Sequence, residues 1–152
     1  MTTFTVQDQT RQSAAAIRAE VPMAELRSVF HRAFGVVMAA VGKQGVSITG
    51  PPFGFFPRMP TETVEVVVGF PVSGPVTPDG EVVPFELPGG PAIIAVHVGP
   101  YERLEQCYFD LEAWAAHQDL QLAGQMWESY LSDPSAEPDP EKWQTLITWP
   151  LS

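Results

Sequence analysis

Apolar positions in this chain change period twice in the same order. Leu26, Val29, Phe30, Ala33, Val37, Ala40 and Val41 recur at steps of three and four, the spacing of one helix face. Leu104, Cys107, Tyr108, Leu111 and Trp114 repeat that spacing later. Pro22 and Pro100 stand where a helix opens, because the first turn needs no backbone donor. Gly42 and Gly45 supply stop signals for the first helix. Valine-rich or alternating runs predict strands over Ala14–Ala19, Thr63–Phe70, Ala92–Val98, Gln125–Leu131 and Trp143–Trp149. Thr3–Gln7 and Val82–Leu87 are two further short strands, expected to pair as hairpins with the strands that follow them.

The elements belong to an internal repeat. Pro22-Met23-Ala24-Glu25-Leu26 matches Pro100-Tyr101-Glu102-Arg103-Leu104 at an offset of 78 residues, and the same offset pairs Phe30 with Tyr108. Gly50–Phe56 matches Gly124–Tyr130 at an offset of 74, and Val67–Ser73 matches Leu146–Ser152 at 79. Three blocks in one order at nearly one spacing indicate duplication. The segment Pro71–Gly80, with three prolines and two glycines, separates the copies. The expected organisation is one domain over 1–152, with repeat one at 2–73, a linker at 74–80 and repeat two at 81–152. The expected fold is α+β: two tandem strand–helix–strand–strand units about a pseudo-twofold axis, each antiparallel sheet covered by a helix. A cleft is expected between the copies.

Composition narrows the chemistry. The net charge is −10, with no cluster of Lys or Arg, so nucleic acid is disfavoured as a partner and cations are favoured. No run is long and apolar enough to span a membrane. A single cysteine and no signal-peptide pattern at the start predict a cytoplasmic protein. His31, His97 and His117 lie far apart, so no metal site is expected, and no cofactor is expected either. His97 is the one weak candidate for a haem ligand. Asp133–Glu141 reads as a solvated loop.

Glu128 is the candidate that remains. On a strand it shares a face with Met126 and Tyr130, while Trp127, Ser129 and Leu131 face the other way. Its counterpart in repeat one is Gly54, which leaves room. A buried carboxylate needs a bound cation or a raised pKa. Aromatic faces attract cations. Phe53, Phe55, Phe56, Phe70, Tyr101, Trp127 and Trp149 are the expected aromatic walls; Tyr108 and Trp114 are expected in the core.

Val98-Gly99-Pro100-Tyr101-Glu102, Gly124–Pro134 and the closing Leu146–Leu151 resemble the GyrI-like small-molecule-binding domain, which also forms the effector-binding part of AraC-type and MerR-type multidrug regulators. The resemblance implies two SHS2-type βαββ units with a ligand cleft at their junction. It implies hydrophobic or cationic aromatic small molecules as partners, with Glu128 at the position of a ligand-contacting glutamate. No DNA-binding segment accompanies the domain, so a stand-alone receptor is expected. Some stand-alone relatives hydrolyse cyclopropane-bearing electrophiles, which implies an alternative role for Glu128 and Tyr101 as acid–base residues.

Overall fold

The computed structural model describes residues 2–133 and 136–152, so Met1, Pro134 and Ser135 lie outside it. Eight strands and two helices follow in the order β1 (Phe4–Gln9), β2 (Gln12–Pro22), α1 (Leu26–Lys43), β3 (Phe53–Phe56), β4 (Thr63–Pro71), β5 (Val83–Leu87), β6 (Gly90–Val98), α2 (Leu104–His117), β7 (Met126–Tyr130) and β8 (Gln144–Pro150). Pro22 and Pro100 each precede a short 3-10 turn that leads into a helix. α1 stops where Gly45 adopts φ +68°, the left-handed conformation that ends many helices.

All strand pairs are antiparallel, and they form one sheet in the order β1-β6-β8-β7-β3-β4-β2-β5. Exchanging the two repeats reverses this order onto itself, which is the expected pseudo-twofold symmetry. The halves are fused through β3 and β7 into a single sheet.

The expected hairpins do not form. β1 pairs with β6 of the other repeat, and β5 pairs with β2. The reason lies in the two-residue connections, Thr10-Arg11 and Pro88-Gly89. A tight hairpin needs positive φ at its turn residues. Among the described residues the non-glycine positive φ belongs to Asp119, so Thr10 and Arg11 let the chain run on instead. Each connection therefore joins strands at opposite ends of the sheet order, which requires the sheet to curl until its ends approach. The two connections pass each other at Gly89, where a Cβ would lie 2.9 Å from the Gln9 carbonyl oxygen.

Both helices cover the same face. α1 buries Val29, Ala33, Val37 and Val41 against Ala15, Ile17, Val66, Val68 and Phe70. α2 buries Leu104, Cys107, Leu111 and Ala115 against Ile93, Ala95, Met126, Ile147 and Trp149. Phe56 packs against both clusters, at the seam between the repeats. The opposite face carries its own cluster of Ala14, Ala16, Phe53, Phe55, Val67, Leu87 and Trp127, with Phe85 against it. No helix among the described residues is long and apolar enough to cross a membrane.

Candidate functional site

The seam between β3 and β7 places Gly54 directly opposite Glu128. The flanking pairs, Phe53 with Ser129 and Phe55 with Trp127, are related by the repeat offset, so the pseudo-twofold axis passes through the Gly54–Glu128 pair. Side chains at this pair rise on the helix side, between α1 and α2.

Glu128 is 8% exposed. The Tyr130 hydroxyl donates to its Oε1 at 2.8 Å, and the Tyr108 hydroxyl donates to its Oε2 from α2. Among the described residues no Lys, Arg or His forms an ion pair with it. Burial raises its pKa from an ordinary 4.5 to about 7, against the opposing effect of the Tyr130 hydrogen bond. Burial and the adjacent Glu128 charge push Tyr130 well above the ordinary phenol value. Tyr101 is raised by burial first, then by Glu128 and Asp133. The site is thus a carboxyl group held between two phenols and poised to change charge near neutrality.

On the α1 side the walls are aromatic. A Cβ at Gly54 would lie 2.7 Å from the Phe30 ring and 2.9 Å from the Tyr130 hydroxyl, so Phe30 occupies the room that glycine leaves. Phe30 meets Tyr130 edge-on at 5.6 Å between centroids, and Phe34 bridges Tyr130 and Phe70 at 6.4 and 5.7 Å. Tyr101 lies 6.1 Å from Tyr130 and 5.0 Å from Trp143.

Of the residues expected from sequence, Glu128, Tyr130, Met126, Gly54, Phe56, Trp149 and Tyr101 lie on this face or at its edge. Met126 and Trp149 form the floor under α2, where Trp149 contacts Tyr108 at 6.0 Å. Phe53, Phe55 and Trp127 are not brought to Glu128. They alternate to the far face and stack around Phe85 there, which corrects the aromatic wall drawn from the sequence. Two shallow depressions of about 310 and 320 Å³ also adjoin Phe85 on that side, and Glu128 lines neither.

Tyr108 is a second correction: its ring packs beside the core, but its hydroxyl reaches Glu128. Helical periodicity cannot separate a residue that ends in the core from one that reaches past it. The signal that could have found it was the Phe30–Tyr108 match at the repeat offset, which marks an added hydroxyl. Sequence reasoning also passed over Phe30 and Phe34 as cleft residues.

His97 is buried, with Nε2 3.1 Å from the Pro100 carbonyl oxygen, a structural tie that leaves the haem suggestion without support. Among the described residues no group of His, Cys, Asp and Glu is arranged to hold a metal ion. Burial raises the Cys107 thiol above its ordinary value, as suits a packed hydrophobe. The described residues of the Asp133–Glu141 segment are mostly exposed.

The family of GyrI-like small molecule binding domains matches this chain over residues 2–152. The chain belongs to that family. Solved structures share the fold at low identity. The C-terminal domain of EcmrR aligns with a TM-score of 0.87 at 19% identity, covering 100% of this chain and 98% of that domain. EcmrR in its DNA complex aligns at 0.85 and 20% identity over 99% of this chain, which spans only 57% of that longer protein. SAV2435 bound to tetraphenylphosphonium aligns at 0.67 and 11% identity over 99% of this chain and 94% of its own. A hydrolase encoded by lin2189 from Listeria innocua aligns at 0.66 and 13% identity, covering 98% and 91%. At these identities the likeness establishes the fold. A search of curated proteins returns no significant match.

Proposed function

We propose that this GyrI-like domain is a receptor for hydrophobic, often aromatic, cations, with Glu128 as the charged anchor. The observation that carries the reading is a buried carboxyl group whose partners are phenol hydroxyls rather than a protein cation. An unpaired buried carboxylate is costly, so the empty site favours the protonated form, and a bound organic cation supplies the missing charge. The rings of Tyr130, Phe30 and Phe34 offer faces to a delocalised cation at roughly 0.5–2 kcal/mol each. Phe30 holds no hydrogen bond and is half-buried, so it is the ring that yields to an incoming ligand. The tetraphenylphosphonium complex of SAV2435 supports this ligand class by analogy of fold.

Fluorescence titration at pH 8 with a cationic dye, in competition with tetraphenylphosphonium, tests the proposal. Glu128→Gln is expected to weaken binding by about 2–4 kcal/mol, the cost of removing one partner of a desolvated charge pair. Equal affinity in both proteins would refute it. A hydrolytic role is the second reading, favoured by the near-neutral pKa of Glu128 between two phenols, which suits a general acid. Glu128-dependent breakdown of a cyclopropane-bearing electrophile, followed by mass spectrometry, would move the assignment to that reading.

A further inference from the structure

Repeat two carries a line of buried polar side chains across three strands, where repeat one is apolar. On the helix side of the sheet, Tyr130 of β7 pairs with Thr145 of β8, and Thr145 pairs with His97 of β6. Directly paired residues on neighbouring strands point to the same face and touch. The equivalent pair in repeat one is Ala19 with Val66, and Phe56 stands where Tyr130 does. The line therefore runs Glu128, Tyr130, Thr145, His97 against Gly54, Phe56, Val66, Ala19.

Three of the four polar groups have partners. Glu128 and Tyr130 bond each other, and His97 bonds the Pro100 carbonyl. Thr145 differs. It is 0% exposed, and its Oγ1 has no hydrogen-bond partner among the described residues. A buried hydroxyl left without a partner destabilises a fold. Packing does not require it, because Val66 has the same shape and fills the matching place in repeat one, also at 0% exposed. Thr145 therefore has a hydroxyl in a place that valine serves in the sister repeat. That place adjoins Tyr130, two residues from the anchor along β7, and Tyr101 covers the same edge of the cleft through its contacts with Tyr130 and Trp143.

We propose that Thr145 forms a second, polar subsite of the cleft, which takes a hydrogen-bonding group carried by the ligand whose cation sits at Glu128. The inference rests on the cation-receptor reading and narrows it. The preferred ligands are aromatic cations bearing a hydroxyl, carbonyl or amide, since a threonine hydroxyl both donates and accepts. Purely hydrocarbon cations use the anchor alone.

A matched set of probes tests this: tetraphenylphosphonium and its ortho-, meta- and para-monohydroxy derivatives, titrated against the parent and Thr145→Val. At least one hydroxylated cation is expected to bind the parent about tenfold more tightly than tetraphenylphosphonium, the effect of satisfying one buried hydroxyl. Thr145→Val should erase that preference and leave tetraphenylphosphonium affinity unchanged. Absence of any hydroxyl preference in the parent overturns the subsite, as does a preference that survives the valine. Thermal melting of the empty proteins adds a readout without ligand. Thr145→Val is expected to raise Tm, and a fall would show a structural partner for the hydroxyl and overturn the subsite. If tetraphenylphosphonium binds the parent and Glu128→Gln equally, the anchor fails rather than Thr145, so the two failures are distinguishable.

Discussion

Around the pseudo-twofold axis repeat one places Phe30, Gly54, Phe56 and Val66; in repeat two the matching positions hold Tyr108, Glu128, Tyr130 and Thr145. Tyrosine replaces phenylalanine twice, threonine replaces valine once, and a carboxylate replaces a hydrogen. The backbone frame is nearly indifferent to the tyrosine and threonine exchanges, because each of those three pairs is close in shape. The chemistry is not. All the oxygen atoms come from one copy, and the space at the axis comes from the other. A symmetric pair of glutamates would set two buried charges against each other on the axis, and a symmetric pair of glycines would leave no anchor. The two copies share a backbone frame and differ in chemistry at the axis where they meet.

Making the halves alike again is the way to break this comparison. Gly54→Glu is expected to have the largest effect. Its Cβ alone would meet the Phe30 ring at 2.7 Å, and its carboxyl would face Glu128. A loss of about 4 kcal/mol or more in urea unfolding is expected from overpacking plus an unpaired buried acid. A stable Gly54→Glu protein would show that the room opposite Glu128 is not as filled as described. Tyr108→Phe, which makes repeat two resemble repeat one at a single oxygen, should cost about 1–2 kcal/mol by the same measurement, the range for one buried hydrogen bond. A neutral Tyr108→Phe would place that hydroxyl outside the site and sharpen the anchor to Glu128 and Tyr130.

Much of this was legible in the sequence, and the failures have identifiable causes. The matched prolines before each helix and the Gly50 and Gly124 blocks revealed the repeat, because proline and glycine report backbone needs that packing does not hide. Glu128 stood out because a lone acid among apolar neighbours needs a reason. The exchange of β1 and β5 was not visible, since a short strand looks the same whether it folds back or runs on; only the turn chemistry of Thr10-Arg11 carried the answer. Phe53 and Phe55 were assigned to the cleft because aromatic content was counted without the alternation of strand faces, and Trp127 was counted with them although the alternation along its own strand already turns it away from Glu128. Thr145 gave no signal alone, and gained one only when set against Val66.

On the receptor reading, Glu128 is neutral in the empty cleft and charged when a cation fills it. Its pKa of about 7 in the folded chain exceeds the ordinary 4.5 of an unfolded one. Its protonation therefore contributes stability that is full below about 4.5 and lost as pH rises through about 7, on the order of 3 kcal/mol in total. The most direct measurement is the ¹³C carboxyl shift of Glu128 through a pH titration, without and with tetraphenylphosphonium, assigned against Glu128→Gln. The prediction is a midpoint near 7 in the empty protein that moves well down with the cation bound. A midpoint in the ordinary carboxylate range when empty, or one unmoved by bound cation, would contradict it.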